Sequence, residues 1–141
     1  MQRVKIRDIR NAEFIEATLQ AVHKHGLGAV TMSEIAQETG ATAASINYYF
    51  GSKERLMEAT MRHLLGLLRA AVVRNLNAAS SPLDRLYATL DANFDDQLFT
   101  AEKCSVWVQF WAAAPYAPAL ARLQRLNRAR VASHLRHDLR P

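Results

Sequence analysis

The sequence predicts an all-α protein. Three observations carry that expectation. The chain is rich in Ala, Leu and Arg, which all favour helix. It has only 5 Gly and 4 Pro in 141 residues, so few points force a helix to stop. Its apolar residues recur at three- and four-residue spacings, the period of a helix face.

Each element can be justified in order. Over residues 8–25, Ala12, Ile15, Leu19 and Val22 share a helix face, and Gly26 suits a left-handed C-terminal cap. Thr31 and Glu34 have the spacing of a capping box and open a short second helix, 32–39, that ends at Gly40. Thr42 can cap a third helix running to about Tyr49, broken by Gly51 and Ser52. Ser52 caps a fourth, with Lys53 in its first turn. That helix runs without proline to about Ala79 and has apolar residues on more than one face, including Leu56, Met57, Leu64 and Leu67. Such a helix bridges two packed regions. Residues 78–82 form a linker in which Ser81 caps, and Pro82 begins, the next helix. A further helix covers about 101–114 and stops near Pro115. The last starts near Pro118 and runs to the end, with Leu120, Leu123, Val131 and Leu135 on one side and Arg122, Arg125 and Arg136 opposite.

Composition bounds the function. The single cysteine, Cys104, excludes an internal disulfide and a CxxC site, and reads as a small buried filler or a redox sensor. No apolar run has the length of a membrane span and no secretory pattern opens the chain, so a soluble cytoplasmic protein is expected. The net charge is +5, yet acids and bases balance through residue 115. The excess lies in 116–141, where six arginines meet one acid, Asp138. The front of the chain has a local basic arm, Arg3, Lys5, Arg7 and Arg10 beside Asp8, of the kind that meets phosphates.

Two short helices joined by a tight turn at Gly40 and Ala41 make a helix-turn-helix, whose second helix would lie in a DNA major groove. Small residues at its front, Thr42, Ala43, Ala44 and Ser45, permit close approach to base edges. Ile46 and Phe50 pack inward. Tyr48 and Tyr49 cannot both face one core and divide labour at the far end of the helix, with at least one phenol donating to a phosphate, and Lys53 adds a charge at the N-terminus of the next helix. The same pattern also suits a plain three-helix packing unit with exposed tyrosines.

At these residues the chain resembles the TetR family of bacterial transcription regulators. The resemblance runs from Ala17 and Gly26 through 31–36, 40–42 and 46–50 to 51–56. It implies a three-helix DNA-binding domain over 1–52 and a helical effector-binding and dimerisation domain over 53–141. Members usually continue with two further helices that build the dimer interface; those are missing here, so either the chain is truncated or the protein departs from the family. By that likeness Thr31, Tyr48, Tyr49 and Lys53 are phosphate contacts, and Thr42, Ala43, Ala44, Ser45 and Asn47 face base edges. Many members have an aromatic where Asn47 stands. An asparagine there can pair with an adenine edge, which discriminates by roughly 1–3 kcal/mol when bidentate.

Residues 15–19, 57–62, 93–95, 107–112 and 115–118 look like the branch of that family that senses choline and controls betaine synthesis. Trp107 and Trp111 stand one helical turn apart with Phe110 beside them, and aromatic faces attract quaternary ammonium by about 2 kcal/mol when desolvated. Asn93, Asp95 and Tyr116 complete the expected pocket, with Asp91 or Asp95 placed to neutralise a cation. A Trp-Phe-Trp stripe at helical spacing also suits ordinary core. No HExxH, ExxH, GxSxG, P-loop or GxGxxG occurs, which argues against an enzyme, and no cofactor or metal is expected. His134, His137 and Asp138 could grip a metal but read as solvated groups. The expectation is a homodimeric repressor on a palindromic operator, released by a small ligand, choline or another quaternary ammonium compound. The alternatives are a regulator of the same fold with another effector, or a helical protein-interaction module without DNA readout.

Overall fold

The computed structural model describes residues 5–140. The described residues form seven α-helices: α1 (Ile6–His25), α2 (Met32–Gln37), α3 (Ala43–Phe50), α4 (Lys53–Ala78), α5 (Pro82–Asp91), α6 (Ala101–Ala113) and α7 (Pro118–Asp138). Single 3-10 turns, Ala92–Phe94 and Ala114–Tyr116, follow α5 and α6. The all-helical expectation holds.

The predicted caps form. Thr42 Oγ1 accepts from Ser45 N at 3.1 Å, Ser52 Oγ from Arg55 N at 3.2 Å and Ser81 Oγ from Asp84 N at 3.1 Å. Each satisfies a backbone donor that the first helical turn leaves unpaired. Gly26 ends α1 with φ 85, but its ψ of 148 is extended rather than left-handed helical, a combination that favours glycine. The chain therefore turns away sharply, and Leu27 comes to lie against α6.

One core joins the front of the chain to its back. Phe14, Leu19 and Val22 of α1 pack with Ile35, Ile46, Leu56, Leu64, Val106, Phe110 and Leu120 in one buried cluster. Each such side chain contributes about 1.5–3 kcal/mol by leaving water. α1 lies at the centre, touching α2, α4 and α6. Its inward face differs from the expected one. Ala12 is exposed and Ile15 only half-buried, while Phe14, Ala17, Thr18 and Ala21 are buried. Thr18 can be buried because its hydroxyl donates to Phe14 O at 2.7 Å.

A smaller cluster, Ala71, Ala92 and Leu98, holds the far half of α4 against the loop before α6. On α7, Leu120 and Leu123 are buried, but Val131 is 37% exposed, because the described helices leave its side of the bundle open. The end of α7 is held instead by an ion pair. Arg85 Nε donates to Asp138 Oδ1 at 2.9 Å, and the Asp138 side chain is almost wholly buried. Asp138 is thus a structural partner of α5, whereas His137 beside it is exposed. Among the described residues no three His, Cys, Asp or Glu side chains gather as metal ligands would. None of the described helices is long and apolar enough to cross a membrane.

Candidate nucleic-acid interface and effector cavity

α2 and α3 are set by local chemistry. Thr31 Oγ1 accepts from Glu34 N at 3.2 Å, while the Glu34 carboxylate accepts from Thr31 N at 2.8 Å. That backbone bond, above all, holds the Glu34 carboxyl below the ordinary carboxylate range. The Thr31 hydroxyl spends an acceptor lone pair on this cap and keeps its proton to donate outward. Gly40, at φ 68, reverses the chain between the helices, where an L side chain would be strained.

α3 divides its residues cleanly. Ile46 is fully buried and docks the helix on the core. Thr42, Ala44, Asn47 and Tyr48 are exposed, and Ala43, Ser45 and Tyr49 are half-buried. Tyr48 is 85% exposed, whereas the Tyr49 ring meets Phe14 edge-on at 5.4 Å. The two phenols lie edge to face at 5.6 Å, so the inner ring braces the outer one. Half-buried Lys53 opens α4, next to the Ser52 cap. Lys5 is exposed and flanks the start of α1. Arg3 lies outside the described residues. The exposed front of α3, the capped starts of α2 and α4 and Lys53 supply the elements of a helix-turn-helix of the kind that reads DNA.

The residues expected to bind a ligand separate into four places. Trp107 and Trp111 stand together on α6, ring centroids 5.9 Å apart and planes tilted by 45°. They line a cavity of about 290 Å³ with Asn93, Phe94, Phe99 and Cys104. Phe94 and Phe99 form an edge-on pair at 5.3 Å on the opposite wall. Asn93 therefore joins the tryptophans as expected, and Cys104 is a half-exposed lining residue rather than a buried filler. Phe110 does not reach the cavity. It projects from the other face of α6 and is fully buried in the main core. Tyr116 is 89% exposed on the turn after α6 and borders a separate cleft with Lys53 and Met57. Asp95 pairs with Arg74 and accepts from Gln97 N, and it does not line the tryptophan cavity.

Sequence reasoning missed Gln109. It faces away from the cavity between the two tryptophans, and its Oε1 accepts from Leu27 N at 2.6 Å. Its Nε2 donates to Ser105 Oγ at 3.2 Å and to Val22 O at 3.4 Å. One amide thus ties the cavity helix to the last turn of α1. Its 82-residue separation from Leu27 left no local signal.

Such a fold and surface define a helix-turn-helix transcription regulator. Residues 14–60 match the family of bacterial regulatory proteins described as tetR, and residues 82–141 match the C-terminal domain of BetI-type transcriptional repressors. The HTH-type transcriptional regulator BetI of Burkholderia mallei is 41% identical over 136 residues, covering 96% of this chain and 70% of that protein. The BetI regulator of Burkholderia cenocepacia is 40% identical over the same length. A TetR regulator from Haloarcula marismortui superposes with a TM-score of 0.82 at 25% identity, covering 92% of this chain and 68% of its own. A regulator from Saccharomonospora viridis in complex with choline gives a TM-score of 0.82 at 21% identity, with the same coverage. The chain belongs to the TetR family of transcription regulators and has a BetI-type C-terminal domain. Its relatives are transcription regulators, not enzymes.

Proposed function

We propose that this TetR-type repressor works in the cytoplasm as a homodimer on a palindromic operator and is released by choline or another quaternary ammonium compound. In this reading residues 1–52 contact DNA and residues 53–141 bind the effector and pair the two copies. Thr42, Ala43, Ala44, Ser45 and Asn47 meet base edges. Thr31, Tyr48, Tyr49, Lys53, Lys5 and Arg3 meet phosphates, with the α4 N-terminus supplying N–H donors.

The effector reading rests on one observation above others, the tilted Trp107–Trp111 pair facing a cavity on a helix that is bonded to the reading head. Indole faces bind quaternary ammonium through their quadrupole. The same fold holds choline in the Saccharomonospora viridis regulator. Trp107, Trp111 and Asn93 form the contact set, with Phe94 and Phe99 closing the far side. Occupancy that shifts α6 pulls on Leu27 through Gln109 and changes how α1 carries the reading helix. The test is a choline titration followed by tryptophan fluorescence and operator gel shift. Quenching and operator release support the reading. Silence in both at millimolar choline rejects the quaternary ammonium effector.

A further inference from the structure

The tryptophan cavity is not alone. A second cavity of about 350 Å³ adjoins it between α4, α5 and α7, and the two share Leu68, Asn93 and Asn127 as a common wall. The second cavity has an apolar floor of Leu65, Val72 and Leu135, and its margin holds Arg69, Arg130 and His134. Among the described residues no carboxylate lines either cavity. Of the nearby acids, Asp95 pairs with Arg74 and Asp138 with Arg85, while Asp91 is exposed at the end of α5 and does not line either cavity. Among the described residues neither Arg69 nor Arg130 has a carboxylate partner; the ion pairs of α4 and α7 involve Arg62, Arg74, Arg122 and Asp138 instead.

This pattern is unfavourable for a bare cation. A cation held by the tryptophans gains no carboxylate, and it sits in one cleft with two unneutralised guanidinium groups. Like charges that share a cleft repel. A ligand that brings its own anion reverses the sign of that interaction. Guanidinium is the side chain best suited to bind carboxylate or phosphate through a bidentate fork. Between the two ends, Asn93 has used its amide nitrogen on Thr89 O and Leu90 O, which leaves its oxygen to accept. Asn127 is half-buried on the shared wall. The tryptophan cavity alone, at about 290 Å³, falls just short of the common range of about 300–1,000 Å³, and the two joined lie within it.

We infer that the two cavities form one effector site for a zwitterion, its quaternary ammonium end between Trp107 and Trp111 and its anionic end at Arg69 and Arg130. This rests on the tryptophan-cage reading given above and narrows the substrate class within it. Choline is then a partial ligand that fills only one end.

The test compares choline, phosphocholine and inorganic phosphate on the full chain by calorimetry and tryptophan fluorescence. Phosphocholine is expected to bind about tenfold more tightly than choline. In the Arg69→Gln/Arg130→Gln variant that advantage disappears, and choline, relieved of the repulsion, binds no more weakly than before. Both arginines are exposed, so the variant is expected to fold, and Arg130→Lys, which keeps the charge, is expected to keep part of the advantage. Equal affinity of choline and phosphocholine, with both quenching fluorescence, overturns the zwitterion site and leaves the cage standing. An advantage that survives in the double variant also overturns it. Absence of any response to either compound overturns the cage and the zwitterion site together. Phosphate binding as tightly as phosphocholine shows an anion site separate from the cage, which overturns the joined site.

Discussion

Replacing Gln109 with leucine tests whether the cavity helix is tied to the DNA-reading head. Leucine keeps much of the side-chain volume, so packing between α6 and α1 changes little. What disappears is the acceptor for Leu27 N–H at 2.6 Å, the donor to Ser105 Oγ at 3.2 Å and a long donor contact to Val22 O at 3.4 Å. Val22 O keeps its bond from Gly26 N at 2.9 Å and is not orphaned. Ser105 is only half-buried and its hydroxyl can turn to water, so the main loss is one backbone donor. An unsatisfied buried donor costs about 1–3 kcal/mol, and this one is only part-buried, so about 1 kcal/mol is expected. For a chain of this size that lowers the melting temperature by about 3–5 °C. Operator affinity without effector should stay within about twofold, since the reading surface is untouched. Effector-induced release should weaken, because coupling between such sites is typically about 1–3 kcal/mol and its hydrogen-bonded route is gone. The assays are a thermal melt and an operator gel shift with and without effector. An unchanged melt together with undiminished release by effector would refute the reasoning.

Lys53→Gln and Tyr49→Phe should each weaken operator binding, and the lysine variant should flatten the salt dependence by about one unit of log–log slope; unchanged duplex affinity in a salt-titrated gel shift rejects the assigned contacts. Gly66→Ala should stabilise the protein by about 0.5–1 kcal/mol, because Gly66 lies inside α4 and an added Cβ meets nothing within 4 Å; denaturant unfolding checks it. Burial pushes the His63 imidazole below its ordinary pKa, with the Glu16 carboxylate opposing. The unfolded state then binds more protons below about pH 6.5, so this contribution is whole at neutral pH and declines on acidification. His63→Gln should reduce the loss of stability between neutral and mildly acidic pH, as read by thermal melts across that range.

The helix boundaries and the reading head were legible because their causes are local. Thr31 and Glu34, Thr42, Ser52 and Ser81 each signal a helix start within four residues, and each forms the cap it signals. The face of α1 was misread because Phe14 and Ala12 both fit an apolar stripe. Only the packing of Tyr49 and Phe50 against Phe14 decides which side turns inward. α6 presents the same difficulty in sharper form. Its aromatic residues occupy consecutive faces, and nothing local says that Phe110 enters the core while Trp107 and Trp111 look the other way. Tyr116 is close to the tryptophans in sequence, but the 3-10 turn that carries Pro115 swings it outside. Contacts between distant residues, Gln109 with Leu27 and Arg85 with Asp138, depend on tertiary folding that periodicity does not encode.

The division of labour along α3 has a consequence for how such a protein can change its target. Ile46 holds the element in place, and Tyr49 leans on Phe14, so those two positions tolerate little. Thr42 apart, whose hydroxyl also holds a helix start, the outward positions Ala44 and Asn47 carry no folding burden. On the proposed base contacts, substitution there would re-address the protein to a new promoter while leaving its thermal tolerance nearly constant, so the address and the scaffold would vary independently.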